Sequence, residues 1–425
     1  MPFESVINIS SANIKYGFGA TREVGFDMKE LGATRVMVVT DRNLAAMAPV
    51  RNTLQSLTDE GLEAVLYDNT RIEPSDASLK QAIDFAANGS FDGFVAVGGG
   101  SPMDTAKVAN LYSTYPADFL DYVNAPVGKA TPVPGPLKPI ACIPTTAGTG
   151  SETTGIAIFD MIKMHAKTGI ASRAIRPTLA IVDPDNTRTL PAMVAASTGF
   201  DVLVHALESY TALPFDRRSA PENPRLRPTY QGSNPISDIW AARAIEIVSD
   251  NITKVIGDSS DNEARSRMLM AATFAGIGFG NAGVHLPHGM SYPVSGMVRD
   301  YQPEGYAVNH PIIPHGISVV LCAPAVFRFI ASANPERHLE AARLMGVDVA
   351  GADLIDAGDI LADALVSLMQ KTGVPNGLGA VGYTENDVDR LVEGTLPQHR
   401  VIGLSPRPFT PDDLKKLFLD SLNCW

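Results

Sequence analysis

Asp201 and His205 stand four residues apart in the stretch FDVLVHALESY, and Glu208 follows three residues later. On a helix this spacing puts all three on one face. Phe200, Leu203, Val204 and Leu207 surround that face with apolar groups. Polar groups in an apolar helix need partners. A bound cation supplies them, and so does a hydrogen bond between the histidine and its neighbouring aspartate. Two further histidines favour the cation. His288 lies in Pro287-His288-Gly289 and His315 in Pro314-His315-Gly316, each ahead of a helix-like segment. Proline suits a helix entry, and glycine would let the backbone crowd an ion. The positive end of a helix favours a neutral imidazole, the form that binds metal. Asp201, His205, His288 and His315 make a set of three nitrogens and one oxygen. That set suits Fe²⁺ or Zn²⁺ and fits Ca²⁺ or Mg²⁺ poorly. One divalent metal with a position open to a substrate oxygen is therefore expected. His285 and Tyr292 flank His288 and are the candidates for relaying a proton, though each also suits a hydrogen-bonded core. His165, His310, His338 and His399 read as ordinary surface or loop residues.

A second constellation lies upstream. Gly98, Gly99, Gly100 and Ser101 join an apolar strand-like segment to a helix-like one. Glycines there permit a sharp turn and leave helix N–H groups facing outward, a seat for the pyrophosphate of a dinucleotide. The pattern is GGGS rather than GxGxxG and sits on the third strand, not the first. Asp41 follows the strand Val36 to Thr40. A carboxylate there can accept from ribose hydroxyls and repels a 2′-phosphate, which prefers NAD to NADP; it can equally cap the segment starting near Asn43. The run Pro144 to Thr154 lacks the Gly-Lys-Ser/Thr ending of a triphosphate loop, which argues against ATP chemistry. Its hydroxyls and small residues could line a dinucleotide or form a tight turn. A dinucleotide and a metal together suggest redox chemistry on an alcohol.

The elements that must position these groups change in character near residue 190. Strand patterns at 35–40, 63–67, 92–97, 139–143 and 179–182 alternate with helical ones at 44–60, 75–87 and 101–112, the second capped by Ser75 or Asp76. Alternation of this kind predicts a parallel sheet covered on both faces. Beyond Leu190 helical patterns dominate, at 191–213, 235–255, 263–280, 317–332, 336–344 and 356–372, with no clear strand. The segment 214–230, rich in Pro and Arg, reads as a loop. The expectation is α/β plus all-α: an α/β dinucleotide-binding domain over 1–190 and an all-helical metal and substrate domain over 191–425, with the ligand cleft between them.

Bulk properties agree with an enzyme. The chain has 425 residues, 45% apolar and 19% charged, enough for large cores. A formal net charge of −12 argues against nucleic acid as a partner. Three cysteines without a CxxC pair argue against a disulfide framework and a zinc ribbon. The N-terminal stretch MPFESVINISSANIKYG resembles neither a signal peptide nor an Arg-rich transit segment, and no apolar run reads as long enough to cross a bilayer. A cytoplasmic protein with no membrane partner is expected.

Taken together, GGGSPMDTAK at 98–107, IPTTAGTGSETT at 143–154, the Asp201/His205 helix, HGMSYP at 288–293 and PHG at 314–316 resemble the iron-containing alcohol dehydrogenase family. The resemblance implies a dinucleotide-binding α/β domain followed by a helical metal domain. It implies metal ligands at Asp201, His205, His288 and His315. It implies NAD contacts at Asp41, Asn69, Gly98, Gly99, Gly100, Ser101, Asp104, Thr145, Thr146, Thr149, Thr154 and Lys167. Many members carry a second histidine four residues after the third ligand, where this chain has Tyr292. GFDVLVHALESYT, YQGSNPISDIWA, PHGISVVLCAPAVF and VEGTLPQHRV (392–401) resemble a branch that exchanges hydride between a hydroxy acid and an oxo acid. That resemblance implies 4-hydroxybutyrate and 2-oxoglutarate as substrates, giving succinic semialdehyde and 2-hydroxyglutarate, with NADH staying bound. Eukaryotic members carry a mitochondrial leader, and a chain beginning within the enzyme proper is expected to be bacterial or processed. An ordinary NAD-dependent alcohol or 4-hydroxybutyrate dehydrogenase is the alternative; a metal-dependent lyase or synthase on the same fold is another. Acid substrates need a cationic anchor, and the loop bearing Arg217, Arg218, Arg225 and Arg227 is a candidate. A homodimer or higher homo-oligomer is expected, through edge pairing of the α/β domain.

Overall fold

The computed structural model describes residues 3–164, 166–308 and 310–425. Contacts between residues divide the chain into two units, Ser11–Leu190 and Met1–Ser10 with Pro191–Trp425. The start of the expected first domain is thus revised. The backbone N–H groups of Asn8 and Ser10 donate to the side chains of Gln231 and Asn281, which ties this segment to the helical unit.

In the α/β unit the described elements run β1 (Asn13–Tyr16), α1 (Val24–Glu30), β2 (Arg35–Val39), α2 (Ala48–Asp59), β3 (Glu63–Tyr67), α3 (Asp76–Asn88), β4 (Gly93–Gly98), α4 (Gly100–Thr114), β5 (Ile140–Pro144), β6 (Ile156–Met161), β7 (Ala166–Ala171) and β8 (Leu179–Val182). Six strands form one parallel sheet in the order β1-β8-β5-β4-β2-β3. Alternate residues of its strands feed two cores. Val36, Val38, Val95, Val97 and Ile143 pack with Val24, Met28, Val50 and Leu57 of α1 and α2. Met37, Val39, Phe94, Ala96 and Cys142 pack with Ala82, Ala86, Met103 and Ala106 of α3 and α4. A strand buried on both faces reads as a continuous apolar run, which is why these strands were legible. The predicted helix over 44–60 starts later, at α2, where Pro49 occupies the first turn. The antiparallel hairpin β6–β7 is an addition to the sequence reading.

The helical unit contains α5 (Ala192–Thr211), α6 (Pro235–Gly257), α7 (Asn262–Ala282), α8 (Leu286–Gly296), α9 (His315–Val320), α10 (Ala323–Ile330), α11 (Pro335–Leu344), α12 (Ala357–Thr372), α13 (Val388–Thr395), α14 (His399–Ile402) and α15 (Pro411–Asp420). The expected single helix over 317–332 is interrupted between α9 and α10, where Pro324 can supply no N–H to continue the ladder. The stretch His315–Ala333 does have the length and apolar character to cross a membrane, with a mean hydropathy of 1.8, contrary to the sequence expectation. Of that window 78% is buried, which fits a core segment of this unit.

Candidate metal centre

α5 is buried on almost every side, so Asp201, His205 and Glu208 face protein rather than water. Asp201 is 2%, His205 5% and Glu208 0% exposed. α9 lies directly against α5: a Cβ on Gly316 would stand 1.9 Å from the Ser197 carbonyl oxygen. That approach brings His315, the first residue of α9, to Asp201. Similarly, a Cβ on Gly289 would meet Ile402 Cγ2 at 2.4 Å, where α14 docks on α8. The two glycines following histidine therefore permit close helix packing.

The result is a convergence. Asp201, His205, His288 and His315 each offer one ligand-type atom, all within 4.8 Å of one another. Asp201 Oδ1 is the hub, 3.5 Å from His205 Nδ1, 3.7 Å from His288 Nε2 and 3.7 Å from His315 Nε2. These separations exceed ordinary hydrogen bonds. Atoms bound tetrahedrally about 2.0–2.1 Å from one ion lie about 3.4 Å apart. Asp201 Oδ1, His205 Nδ1 and His288 Nε2 are buried with no hydrogen-bond partner. Buried polar atoms without partners are costly, so the donor set fits a divalent cation.

The surroundings fix the rings. His205 stacks on Phe279, with centroids 3.9 Å apart and planes 9° apart, and on His288 at 4.3 Å. Glu208 accepts the backbone N–H groups of His285 at 2.7 Å and His288 at 3.3 Å, and its second oxygen binds His288 Nδ1. That contact turns Nε2 towards Asp201. Burial opposes charge on His288, but the Glu208 and Asp201 carboxylates outweigh it and push its pKa up to about 9. The expected preference for a neutral imidazole at the helix start is thus overridden in the metal-free protein. Burial pushes His205 down to about 3, against Asp201. Burial also works against the Asp201 carboxylate, yet the neighbouring imidazoles hold it well below the usual range.

His285 is fully buried; its Nε2 pairs with the Thr211 hydroxyl at 3.1 Å, and burial lowers its pKa to about 4. The Tyr292 hydroxyl accepts from Arg400 Nη2 at 3.3 Å. His338, expected at the surface, is 0% exposed, with Nδ1 beside the Asn334 carbonyl at 2.8 Å. Its place on the apolar face of α11 accounts for that burial. His165 lies outside the described residues. The loop arginines are engaged or solvated. Arg227 pairs with Glu4 at 3.0 Å, Arg218 donates to the Tyr230 carbonyl at 2.6 Å, and Arg217 and Arg225 are exposed.

In the α/β unit, β2 and β4 adjoin while their chain continuations diverge, which makes a switch point at their carboxyl ends. Asp41 lies just beyond β2 and Gly98–Ser101 at the end of β4. Asp41 also accepts the N–H of Asn43 at 2.8 Å, so it caps a turn, and burial raises its pKa. α4 begins without a side-chain cap. The loop after β5 covers this turn: a Cβ on Gly99 would lie 3.2 Å from Thr146 Oγ1, and one on Gly100 2.9 Å from Thr149 Cγ2. Thr145 donates its N–H to the Gly98 carbonyl at 3.0 Å, and Thr154 is buried. Asn69, just past β3, accepts from Arg42 at 2.7 Å. Two expected contacts are committed internally. Asp104 accepts from the Ser151 hydroxyl at 2.7 Å and the Ile158 N–H at 2.9 Å, and Lys167 pairs with Glu73 and Asp160.

A family model for iron-containing alcohol dehydrogenase matches residues 11–184, and one for the C-terminal part of the Fe-containing alcohol dehydrogenase family matches 229–422. The chain belongs to the iron-containing alcohol dehydrogenase family and is an oxidoreductase. Among curated relatives, the mitochondrial hydroxyacid-oxoacid transhydrogenase of Rattus norvegicus is 55% identical over 416 residues, covering 97% of this chain and 89% of the relative. Among solved structures, a 1,3-propanediol oxidoreductase superposes with a TM-score of 0.86 at 27% identity, covering 98% of this chain and all of that one. The sulfoacetaldehyde reductase from Bifidobacterium kashiwanohense in complex with NAD⁺ gives 0.79 at 25% identity, with 98% of each chain covered. The expected cytoplasmic placement is overturned by the rat relative, which is named as a mitochondrial protein. Charge and cysteine content do not distinguish one reducing compartment from another.

Proposed function

We propose that this chain is a metal-dependent NAD(H) oxidoreductase that moves hydride from a hydroxy acid to an oxo acid, as a hydroxyacid-oxoacid transhydrogenase. 4-Hydroxybutyrate and 2-oxoglutarate would give succinic semialdehyde and 2-hydroxyglutarate. The observation that carries the reading is the cluster of buried Asp201, His205 and His288 with half-buried His315, in a chain 55% identical to a protein of that name. Asp201, His205, His288 and His315 would hold one divalent ion, Fe²⁺ first and Zn²⁺ second. When bound, the ion supplies Lewis acidity to a hydroxyl or carbonyl oxygen, and the nicotinamide takes and returns a hydride.

The protein's own groups do the rest. Glu208 holds His288 in orientation. Phe279 fixes the plane of His205. Asp41, Asn69, Gly98 to Ser101, Thr145, Thr146, Thr149 and Thr154 would seat NAD at the carboxyl ends of the strands, with the uncapped start of α4 at its pyrophosphate. Asp104 and Lys167 would hold the surrounding loops. Tyr292, one turn beyond His288, is the better-placed proton carrier, because His285 is shut in against Thr211. A homodimer at least is supported by the edge strand β1, where Ile14 and Tyr16 are 42% and 47% exposed.

The test separates retained from exchanging nucleotide. Purified protein with both acids and no added NAD should turn over, whereas 4-hydroxybutyrate with excess NAD alone should release no free NADH. Free NADH from the acid alone, together with no turnover lacking added NAD, would identify an ordinary dehydrogenase instead.

A further inference from the structure

A guanidinium withdrawn from water needs an anion. Arg400 lies in the stretch VEGTLPQHRV, on the short helix α14 that docks against α8. Its guanidinium carbon sits 4.8 Å from the Tyr230 ring centroid, and its Nη2 donates to the Tyr292 hydroxyl at 3.3 Å. Its Nη1 is buried and has no hydrogen-bond partner. Among the described residues no carboxylate lies within ion-pair distance of it, although the chain carries 46 acidic residues against 34 basic ones. The ionisable groups beside it are two phenols, Tyr292 and Tyr230. The residue as a whole is half-buried, with Nη1 enclosed.

Its place is set by α8. Tyr292 follows His288 by four residues, a rise of about 6 Å along the helix. Through the Tyr292 hydroxyl, Arg400 is thus tied to the helix that carries His288. The four loop arginines offer no such combination, being paired, bonded to backbone or exposed.

We propose that Arg400 is the residue that binds the substrate carboxylate, with Tyr230 and Tyr292 holding its plane. This rests on the hydroxy-acid reading given above. A guanidinium presents two parallel N–H groups to a carboxylate, which fixes orientation as well as charge. In 4-hydroxybutyrate the carboxyl carbon is three bonds from the carbinol carbon. In 2-oxoglutarate the distal carboxyl carbon is three bonds from the keto carbon. One anchor at one distance thus serves both the donor and the acceptor.

The experiment compares kcat/KM for 4-hydroxybutyrate and its uncharged isostere 4-hydroxybutyramide, using the full chain loaded with metal and nucleotide. Arg400→Met should reduce the preference for acid over amide about 100-fold, chiefly through KM for the acid. Arg400→Lys, which keeps the charge but not the fork, should retain part of it, and it remains the readable variant if Arg400→Met does not fold. Adding methylguanidinium to Arg400→Ala should restore turnover of the acid more than of the amide. A preference within threefold of wild type in both the Met and Lys variants would overturn the anchor while leaving the hydroxy-acid reading intact. A wild-type protein that turns over neither compound would overturn both.

Discussion

One carboxylate oxygen, Asp201 Oδ1, with imidazole nitrogens of three histidines 3.5–3.7 Å away, is the hub of the proposed metal centre. Glu208 decides whether that centre is pre-shaped, because it holds both the backbone and the ring of His288. Glu208→Ala should weaken metal affinity about 10–100-fold, read as metal content after dialysis against graded chelator. An unchanged affinity would make Glu208 merely a core partner. The pH dependence follows from the same pair. In metal-free protein His288 is held up at about 9, above an unfolded value near 6.5. Its contribution is fully present below about 6.5 and is lost as pH rises through about 9, so the Tm of the metal-free protein should fall across that window. The fall should be smaller in Glu208→Ala. The i, i+4 spacing made Asp201 and His205 legible in the sequence, and Glu208 fell on the same face. Its grip on His288 was not legible, because the partners are 80 residues apart and meet only through tertiary packing. Arg400 was hidden for the same reason, while the loop arginines drew attention by their clustering.

One glycine, Gly316, lets α9 close up on α5 and bring His315 to Asp201. Gly316→Ala would drive a methyl into the Ser197 carbonyl, 1.9 Å away, and part α9 from α5. We expect a loss of about 1–3 kcal/mol in urea unfolding together with loss of bound metal. Retention of both would show that the approach of α9 is not what positions His315. The Pro-His-Gly triplets were visible as sequence motifs, but their glycines read as room for an ion; only packing shows that they make room for neighbouring helices. Strands buried on both faces, such as β2 and β4, announced themselves as apolar runs. The hairpin β6–β7 did not, because Asp160 and Lys167 interrupt its apolar pattern with a half-buried cross-strand ion pair. The break between α9 and α10 turned on a single proline within a continuous apolar stretch.

At the scale of the whole molecule, a nucleotide-type turn in one unit and a metal-type cluster in the other define the class of reaction. Family membership makes the chain an oxidoreductase, and the rat relative narrows the proposal to exchange between acids. Both the division of texture near residue 190 and the convergence of Asp201, His205, His288 and His315 were readable in advance. Compartment was not, since nothing in bulk charge or cysteine count encodes it.

The central claim is that hydride passes from one acid to the other through nucleotide that never leaves the protein. The most direct measurement supplies 4-hydroxybutyrate deuterated at its carbinol carbon, 2-oxoglutarate, and purified protein with an NAD-degrading hydrolase to remove free nucleotide. Mass spectrometry should find the deuterium at C2 of 2-hydroxyglutarate. Unlabelled 2-hydroxyglutarate, or none at all, would contradict the account.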